Sequence, residues 1–359
     1  VVAGSTDIWQ RYVNSLRLRI ALHLATNGDL TADAKSAIQE ILSNPTQYPL
    51  IESNDQNIGV NGDTATDHFN YGKGIAQALG GSSSYAAGSQ AMLDAMNVPA
   101  NGVPDENTDP RLAAIYDCNP DGEYVAYDNS LTSSEIDDIA DKKNKEYIDR
   151  GINTSNYYCR IDTIAFAGWA AYQGNANLNG TWINAAEVAL SKAEAYLMGY
   201  GVAANEAAAK ENFIKGVVLS NEYYWNMKTT SSLYKEGNDS YSGFRALTVP
   251  TSADFEAYAN KIWKATQECV ATQLWLNFAY LNELEAWNVN RRTGFPNVKF
   301  AKDTQMADYP TPPNRLPYPS DELNFNKDNC EAAKAINYSE STGYYTNLFW
   351  AKQTYYSLY

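Results

Sequence analysis

Histidine is almost missing from this chain: two in 359 residues, His23 and His68. A Ser-His-Asp or Cys-His arrangement is therefore barely available. No second ligand stands at a matching spacing from either histidine, so no metal site is expected. The four cysteines, Cys118, Cys159, Cys269 and Cys330, are too far apart for a CxxC metal or redox motif. They read mostly as free thiols, because a chain of this length can build a core without covalent staples. A Gly-rich phosphate loop, a GxSxG elbow and an HExxH helix are all absent, and no cofactor is expected. No apolar run reaches the roughly 18 residues that a membrane-spanning helix needs. Cations are also in short supply, with 27 Lys and Arg against 42 Asp and Glu, a net charge of −15. A polyanion would be repelled, which excludes nucleic acid as a partner, and no polybasic stretch marks an anionic membrane surface.

What the chain has instead is tyrosine: 27, with 8 tryptophans. Each presents a flat apolar face and a polar tip, a combination suited to stacking on sugars or peptides at a wet surface, and equally to filling a core. Residues 272–296 organise the rest. At about 100° per residue, Leu274, Phe278 and Leu281 fall on one face and Leu276, Tyr280, Leu284 and Trp287 on another, which predicts one buried helix. Glu285 and Glu283 project into those faces, where a lone carboxylate costs several kcal/mol. Arg291, two turns after Glu283, and Arg292, two turns after Glu285, are the expected partners, with Trp287 at a cation–π spacing from Arg291. Gly294 and Pro296 stop the helix. These residues read as an internal lock.

Further along, Asp7 and Gln10 predict a capping box for a helix over 8–26, with Trp9, Val13, Leu16 and Ile20 as its stripe and Leu18, Leu22 and Ala25 widening it. Thr31 starts a shorter helix that ends at Asn44-Pro45. Residues 48–88 read as a long ordered loop, a kind of segment more often functional than idle. Ser89–Met96 is a short helix, 131–150 a charged solvent-facing stretch, and 155–172 one or two short strands. Residues 182–225 form a helical hairpin whose small and aromatic residues are spaced like a tetratricopeptide unit. Ser252 or Asp254 starts a helix to about 270, residues 298–329 are proline-rich, and Asp328 with Glu331 caps a last helix.

Five motifs in order resemble the SusD/RagB family of nutrient-binding lipoproteins, in particular its SusD-like subgroup. They are Ile8-Trp9-Gln10 through Asn14-Ser15-Leu16-Arg17-Leu18-Arg19; Asp109-Pro110-Arg111-Leu112; Ala193-Glu194-Ala195; Glu285-Ala286-Trp287 with Arg291-Arg292-Thr293-Gly294; and Arg315 with Tyr318-Pro319, Glu322 and Asn324. The resemblance implies a mainly α protein with TPR-like helical hairpins, long ordered loops and a few short strands. It implies one SusD-like domain over 1–359 that lacks its N-terminal part, with the hairpin at 182–225 and a C-terminal region at 254–359. It also implies an N-terminal lipid on a cysteine without counterpart here, residence on the extracellular face of the outer membrane, and a SusC-like TonB-dependent transporter as partner. The activity it implies is capture of oligosaccharides or peptides, not catalysis. A TPR-like scaffold and an all-helical glycoside hydrolase using paired carboxylates are the alternatives.

The matched motifs are structural and carry no ligand contacts. The expected ligand-binding residues are therefore aromatics flanked by polar groups in loops: Tyr71 with Asp67 and Asn70, Trp169 with Tyr172, and Tyr224 and Trp225 with Tyr241 and Arg245.

Overall fold

A computed structural model describes residues 4–26, 30–60, 87–128, 131–152, 157–167, 175, 178–237, 247–298, 313–338 and 346. It is mainly helical. Helix α1 (Thr6–Leu24) is followed by α2 (Thr31–Ser43), a 3-10 turn (Asn54–Gln56), strand β1 (Ile58–Val60) and the short α3 (Gln90–Ala95) and α4 (Leu112–Ile115). Strand β2 (Tyr116–Asp117), α5 (Ser133–Asp149), β3 (Arg160–Ile161) and β4 (Gly180–Ile183) lead to the long pair α6 (Ala185–Met198) and α7 (Glu206–Thr229). Helices α8 (Ser252–Ile262), α9 (Gln267–Phe278), α10 (Glu283–Thr293), α11 (Ser320–Phe325) and α12 (Lys327–Asn337) complete it. The strands form two antiparallel pairs, β1 with β4 and β2 with β3.

Helices α6 and α7 are the spine. Helix α6 is buried on nearly every side, while α7 is buried along most of its circumference and keeps Glu211, Lys215 and Asn226 exposed on one side. Gly216 in α7 makes the contact close: a Cβ there would lie 2.6 Å from the Leu190 side chain of α6. One core cluster joins α1, α2 and α6 through Leu18, Leu22, Ile38, Ile41 and Val188. A second joins α6, α7 and α9 through Leu190, Phe213, Val217 and Leu274. The third gathers Tyr116, Phe166, Tyr224, Trp225 and Leu276 around α7.

Two buried cations tie elements of this core together. Arg111 is fully buried and donates to Asp109, to Ser220 Oγ (2.9 Å) and to Gln273 Oε1. That one guanidinium ties the turn before α4 to α7 and α9. Lys228 donates from Nζ to Asp162 Oδ2 (2.6 Å) and to the Ala113 carbonyl oxygen (2.5 Å).

The single helix expected over 272–296 is two helices. The chain leaves α9 at Ala279 (φ 28°, ψ −113°) and re-enters α10 under an Asn282 cap, whose Oδ1 accepts from Glu285 N. The break lets Tyr280 reach the other core, where its hydroxyl meets that of Tyr116 at 2.7 Å and its ring lies edge-on to Phe166. A projection through 272–296 is therefore wrong beyond residue 279, and Leu284 (68%) and Trp287 (48%) are exposed.

The expected pairing of carboxylates and arginines is corrected by the same break. Glu283 is exposed at the first position of α10 and does not meet Arg291. Glu285 faces α1, with Oε2 3.2 Å from His23 Nε2 and Oε1 3.8 Å from Arg19 Nη1. Arg292 instead donates both Nη groups to Glu194 of α6, at 2.5 and 2.7 Å. Arg291 donates to Asn314 Oδ1 and carbonyl oxygen, and stacks over Trp287 at 5.5 Å, the cation–π contact its spacing predicted. Arg19 closes the set by gripping Glu187 (2.5 and 2.7 Å). Three acids from α6 and α10 thus face Arg19, His23 and Arg292, and they clamp α1, α6 and α10 together.

Other helix ends differ in detail. Ser5, not Asp7, caps α1, with its side chain accepting from Ile8 N. The charged stretch after 131 is a helix with a complete Thr132–Glu135 capping box. Trp182 stands on β4 and not at the start of a helix. All four cysteines are thiols.

Candidate functional site

The site is built where β4 crosses the C-terminal half of α7. Residues Glu222, Tyr223, Asn226 and Met227 lie one turn apart on α7, so they share one face. Opposite them run the 3-10 turn with Asn54, Asp55 and Asn57, then Ile58 and Gly59 of β1, and Asn179 and Thr181 at the start of β4. Together these line a cleft of about 540 Å³. Gly59 lets the two strands close over it: a Cβ there would sit 2.5 Å from the Gly180 carbonyl oxygen.

The walls are held by their own hydrogen bonds. Asn54 donates to the Leu219 carbonyl (3.0 Å), and Asn57 donates to Asn54 Oδ1 (3.2 Å) while accepting from Ala185 N (2.8 Å). The hydroxyls of Thr181 and Tyr223 meet at 2.8 Å, and Glu222 accepts from Ser252 Oγ at 2.6 Å. Such bonds fix the directions of Asn54, Asn57 and Glu222 before any ligand arrives. Asp55 and Asn226 are exposed at the rim. The described lining holds four amides, two carboxylates, one phenol ring and no lysine or arginine. It offers both donors and acceptors, carries negative charge, and suits a polar cargo that is neutral or cationic.

A second cleft, about 610 Å³, lies between α3, the ends of α8 and α9 that meet, and residues 296–298. Its charges are mixed, with Lys261 and Lys264 beside Asp94, Asp128 and Glu268 in the lining.

Of the expected ligand-binding residues, Asp67, Asn70, Tyr71, Trp169, Tyr172, Tyr241 and Arg245 lie outside the described residues. Tyr224 and Trp225 are corrected: both are in the core, not on a surface. The Tyr224 hydroxyl donates to the Asn277 carbonyl (3.1 Å) and Trp225 Nε1 to the Pro110 carbonyl (3.0 Å), so their polar tips are satisfied internally. Their neighbours on the helix, Tyr223 and Asn226, are the residues that reach the cleft. Three of the four amides that line it stand in Asn-rich stretches of the sequence, 54–57 and 175–179, and that density was the available signal.

The structure defines a SusD-like helical fold. A chitin-binding protein is similar over 98% of this chain and 66% of its own, at 20% identity and a TM-score of 0.67. A SusD homologue from Bacteroides fragilis is similar over 98% and 69%, at 18% identity and a TM-score of 0.69. An outer-membrane protein of Bacteroides vulgatus whose description points to nutrient binding is similar over 97% and 68%, at 18% identity and a TM-score of 0.64. The chain spans about two thirds of the length of each of these relatives. Among curated proteins none matches the sequence. Residues 1–319 match the SusD-like family described as starch-binding and associating with the outer membrane, and the chain belongs to that family.

Proposed function

We propose that this protein captures oligosaccharides in the cleft between α7 and the β1–β4 pair, on the extracellular side of the outer membrane, and delivers them to a TonB-dependent transporter. It binds and does not cleave. The observation that carries the reading is the lining of that cleft: four amides and two carboxylates, with Asn54 and Asn57 fixed by hydrogen bonds and Glu222 held by Ser252, beside the Tyr223 ring. A sugar needs hydrogen-bond partners in the plane of its hydroxyls and an aromatic face to rest on. The family's description as starch-binding and the chitin-binding relative support the same class. With Asp55 and Glu222 at the cleft and −15 on the chain, neutral or amine-bearing sugars are favoured over uronates and sulfated sugars.

The second cleft favours another cargo. Its lining of lysines and carboxylates together with Ile262, Pro296 and Val298 would suit a short peptide carrying both charges. Calorimetric titration of a panel of neutral, amino and acidic oligosaccharides and of oligopeptides decides between them. Binding of neutral or amino sugars with no response to uronates supports the reading; binding of peptides alone moves the cargo to the second cleft. An N-terminal lipid is the anchor we assign, and copurification with a large β-barrel in detergent tests the partner.

A further inference from the structure

Cys118 directly follows β2 and Cys159 directly precedes β3. In that antiparallel pair Tyr116 faces Ile161 and Asp117 faces Arg160, so the next step sets Cys118 opposite Cys159. The two segments are still side by side there, because Asn119 Nδ2 donates to the Tyr157 carbonyl oxygen at 3.3 Å. Asp162 N donates to the Ile115 carbonyl oxygen at 2.7 Å. Bonded pairs therefore fall at 115–162 and 117–160, and 118–159 is a non-bonded position. Cys159 agrees with that alternation: its N–H donates to the Val125 carbonyl oxygen (2.7 Å) and its carbonyl accepts from Gly88 N (2.8 Å), both outside β2. Facing residues at a non-bonded position have Cα atoms about 4.5 Å apart, inside the roughly 4.4–6.8 Å that a disulfide spans.

The two side chains share a face. Residues 116 and 118 point to one side of the pair, and 159 and 161 opposite them point the same way. A Cβ on Gly88 would lie 2.6 Å from Cys159 Sγ and 3.1 Å from the Tyr116 ring, so the thiol and the ring are on that side together. Both cysteines are buried in the cluster around α7. Cys269, by contrast, turns its thiol to the Ile262 carbonyl oxygen (3.4 Å), and Cys330 stands on α12. Between Cys118 and Cys159 lie about 40 residues that include α5. Tyr147 is the one buried residue of that helix, so few contacts of its own hold it down.

We infer that Cys118 and Cys159 join in a cross-strand disulfide when the chain folds in an oxidising compartment, fastening both ends of the segment that carries α5. This goes beyond cargo capture and does not depend on it. A protein associated with the outer membrane reaches it through the periplasm, where thiols are oxidised. One cysteine thiolate attacks a sulfur of an external disulfide and releases a thiolate. The other cysteine thiolate then attacks the mixed disulfide and releases the second, so two protein thiols are oxidised and one external disulfide is reduced. Burial pushes the Cys159 thiol up to about 12, which leaves little thiolate in the folded protein; the pair closes during folding and is then shielded from exchange.

Refolding the reduced, denatured protein with glutathione disulfide or with dithiothreitol tests this, followed by alkylation in denaturant and peptide mapping without reduction. The glutathione sample should yield a linked Cys118–Cys159 peptide with Cys269 and Cys330 alkylated. Closing a loop of about 40 residues should make it melt about 3–6 °C above the dithiothreitol sample. Cys118→Ser should melt alike from both; if that variant fails to fold, the peptide map of the unmodified protein still decides. Alkylation of all four cysteines overturns the inference, as does a link from either one to Cys269 or Cys330, or equal melting of the two samples.

Discussion

Replacing Arg292 by methionine tests whether α10 is held by the carboxylate of α6. In the native protein Glu194 is fully buried and accepts three hydrogen bonds, two from Arg292 (2.5 and 2.7 Å) and one from Gln267 (3.1 Å). Burial alone would raise the Glu194 pKa; the charge and hydrogen bonds of Arg292 overcome it and hold the carboxyl below its ordinary value. Arg292→Met removes the counterion and leaves the acid in place, a change that costs about 3–5 kcal/mol when a buried pair is broken from one side. Unfolding entropy near 2.1 cal/mol/K per residue gives roughly 0.75 kcal/mol/K for a chain this long, so the melting temperature should fall by about 4–7 °C. A carboxyl with a depressed folded pKa contributes stability above its unfolded pKa and loses it as pH falls through the folded value. The gap between variant and native protein should therefore be widest at neutral pH and close below pH 4 or so. Adding Glu194→Gln to Arg292→Met should recover most of the loss. Calorimetric melting from pH 3 to 8 reads all three. A loss under about 1 kcal/mol, or one that ignores pH, would refute the assignment of a buried, ionised pair, since exposed pairs give values of that size.

Three further outcomes follow from the same structure. Trp225→Ala should cost about 3–5 kcal/mol, because it empties a core site and orphans the Pro110 carbonyl; denaturant melts check this, and a change under 1 kcal/mol would put Trp225 back on a surface. Asp117 is buried, and desolvation followed by the neighbouring Asp162 charge pushes its pKa well above the usual range. A carboxyl with a raised folded pKa gives stability that is complete below its unfolded pKa and lost as pH climbs, so Asp117→Asn should melt like the native protein near pH 4 and above it at pH 8; a variant less stable at pH 8 would contradict a protonated Asp117. Glu222→Gln should leave the melting temperature within a degree or two while relaxing the preference against uronates, measured by competition titration.

Much of the fold was legible in the residues. The existence of α1, the α6–α7 segment with its small residues and the need of Glu285 for a partner follow from periodicity and from the cost of a lone internal charge, but the stripe chosen for α1 was its outer side: Trp9, Val13 and Ile20 are exposed, and Leu18, Leu22 and Ala25 enter the core. Sequence also required a partner for each internal acid, but could not choose it. Glu285 meets His23, 262 residues earlier in the chain, and Arg292 meets Glu194, 98 residues earlier. Helical spacing names only neighbours within two turns. The break at Ala279 was hidden for a related reason: Thr-Gln-Leu-Trp-Leu-Asn-Phe-Ala-Tyr-Leu contains no glycine or proline, and the chain turns there because Tyr280 finds Tyr116, a tertiary contact outweighing local preference. The site was read least well. Choosing aromatics next to polar groups picked Tyr224 and Trp225, whose helix turns them inward, while Tyr223 and Asn226 on the same helix face the cleft. A hundred degrees of rotation separates a core residue from a binding one, and only the packing of β4 against α7 sets that angle.

The cleft itself can be tested by filling it. Asn226 is exposed on α7 at the cleft rim, so Asn226→Trp places a bulky side chain in the cargo space without disturbing a buried contact. Titration of the native and variant proteins with the same neutral oligosaccharide, alongside a melting curve of each, is the measurement. Capture in this cleft predicts at least a hundredfold loss of affinity at an unchanged melting temperature. Equal affinity in the two proteins would mean that the cargo is held elsewhere.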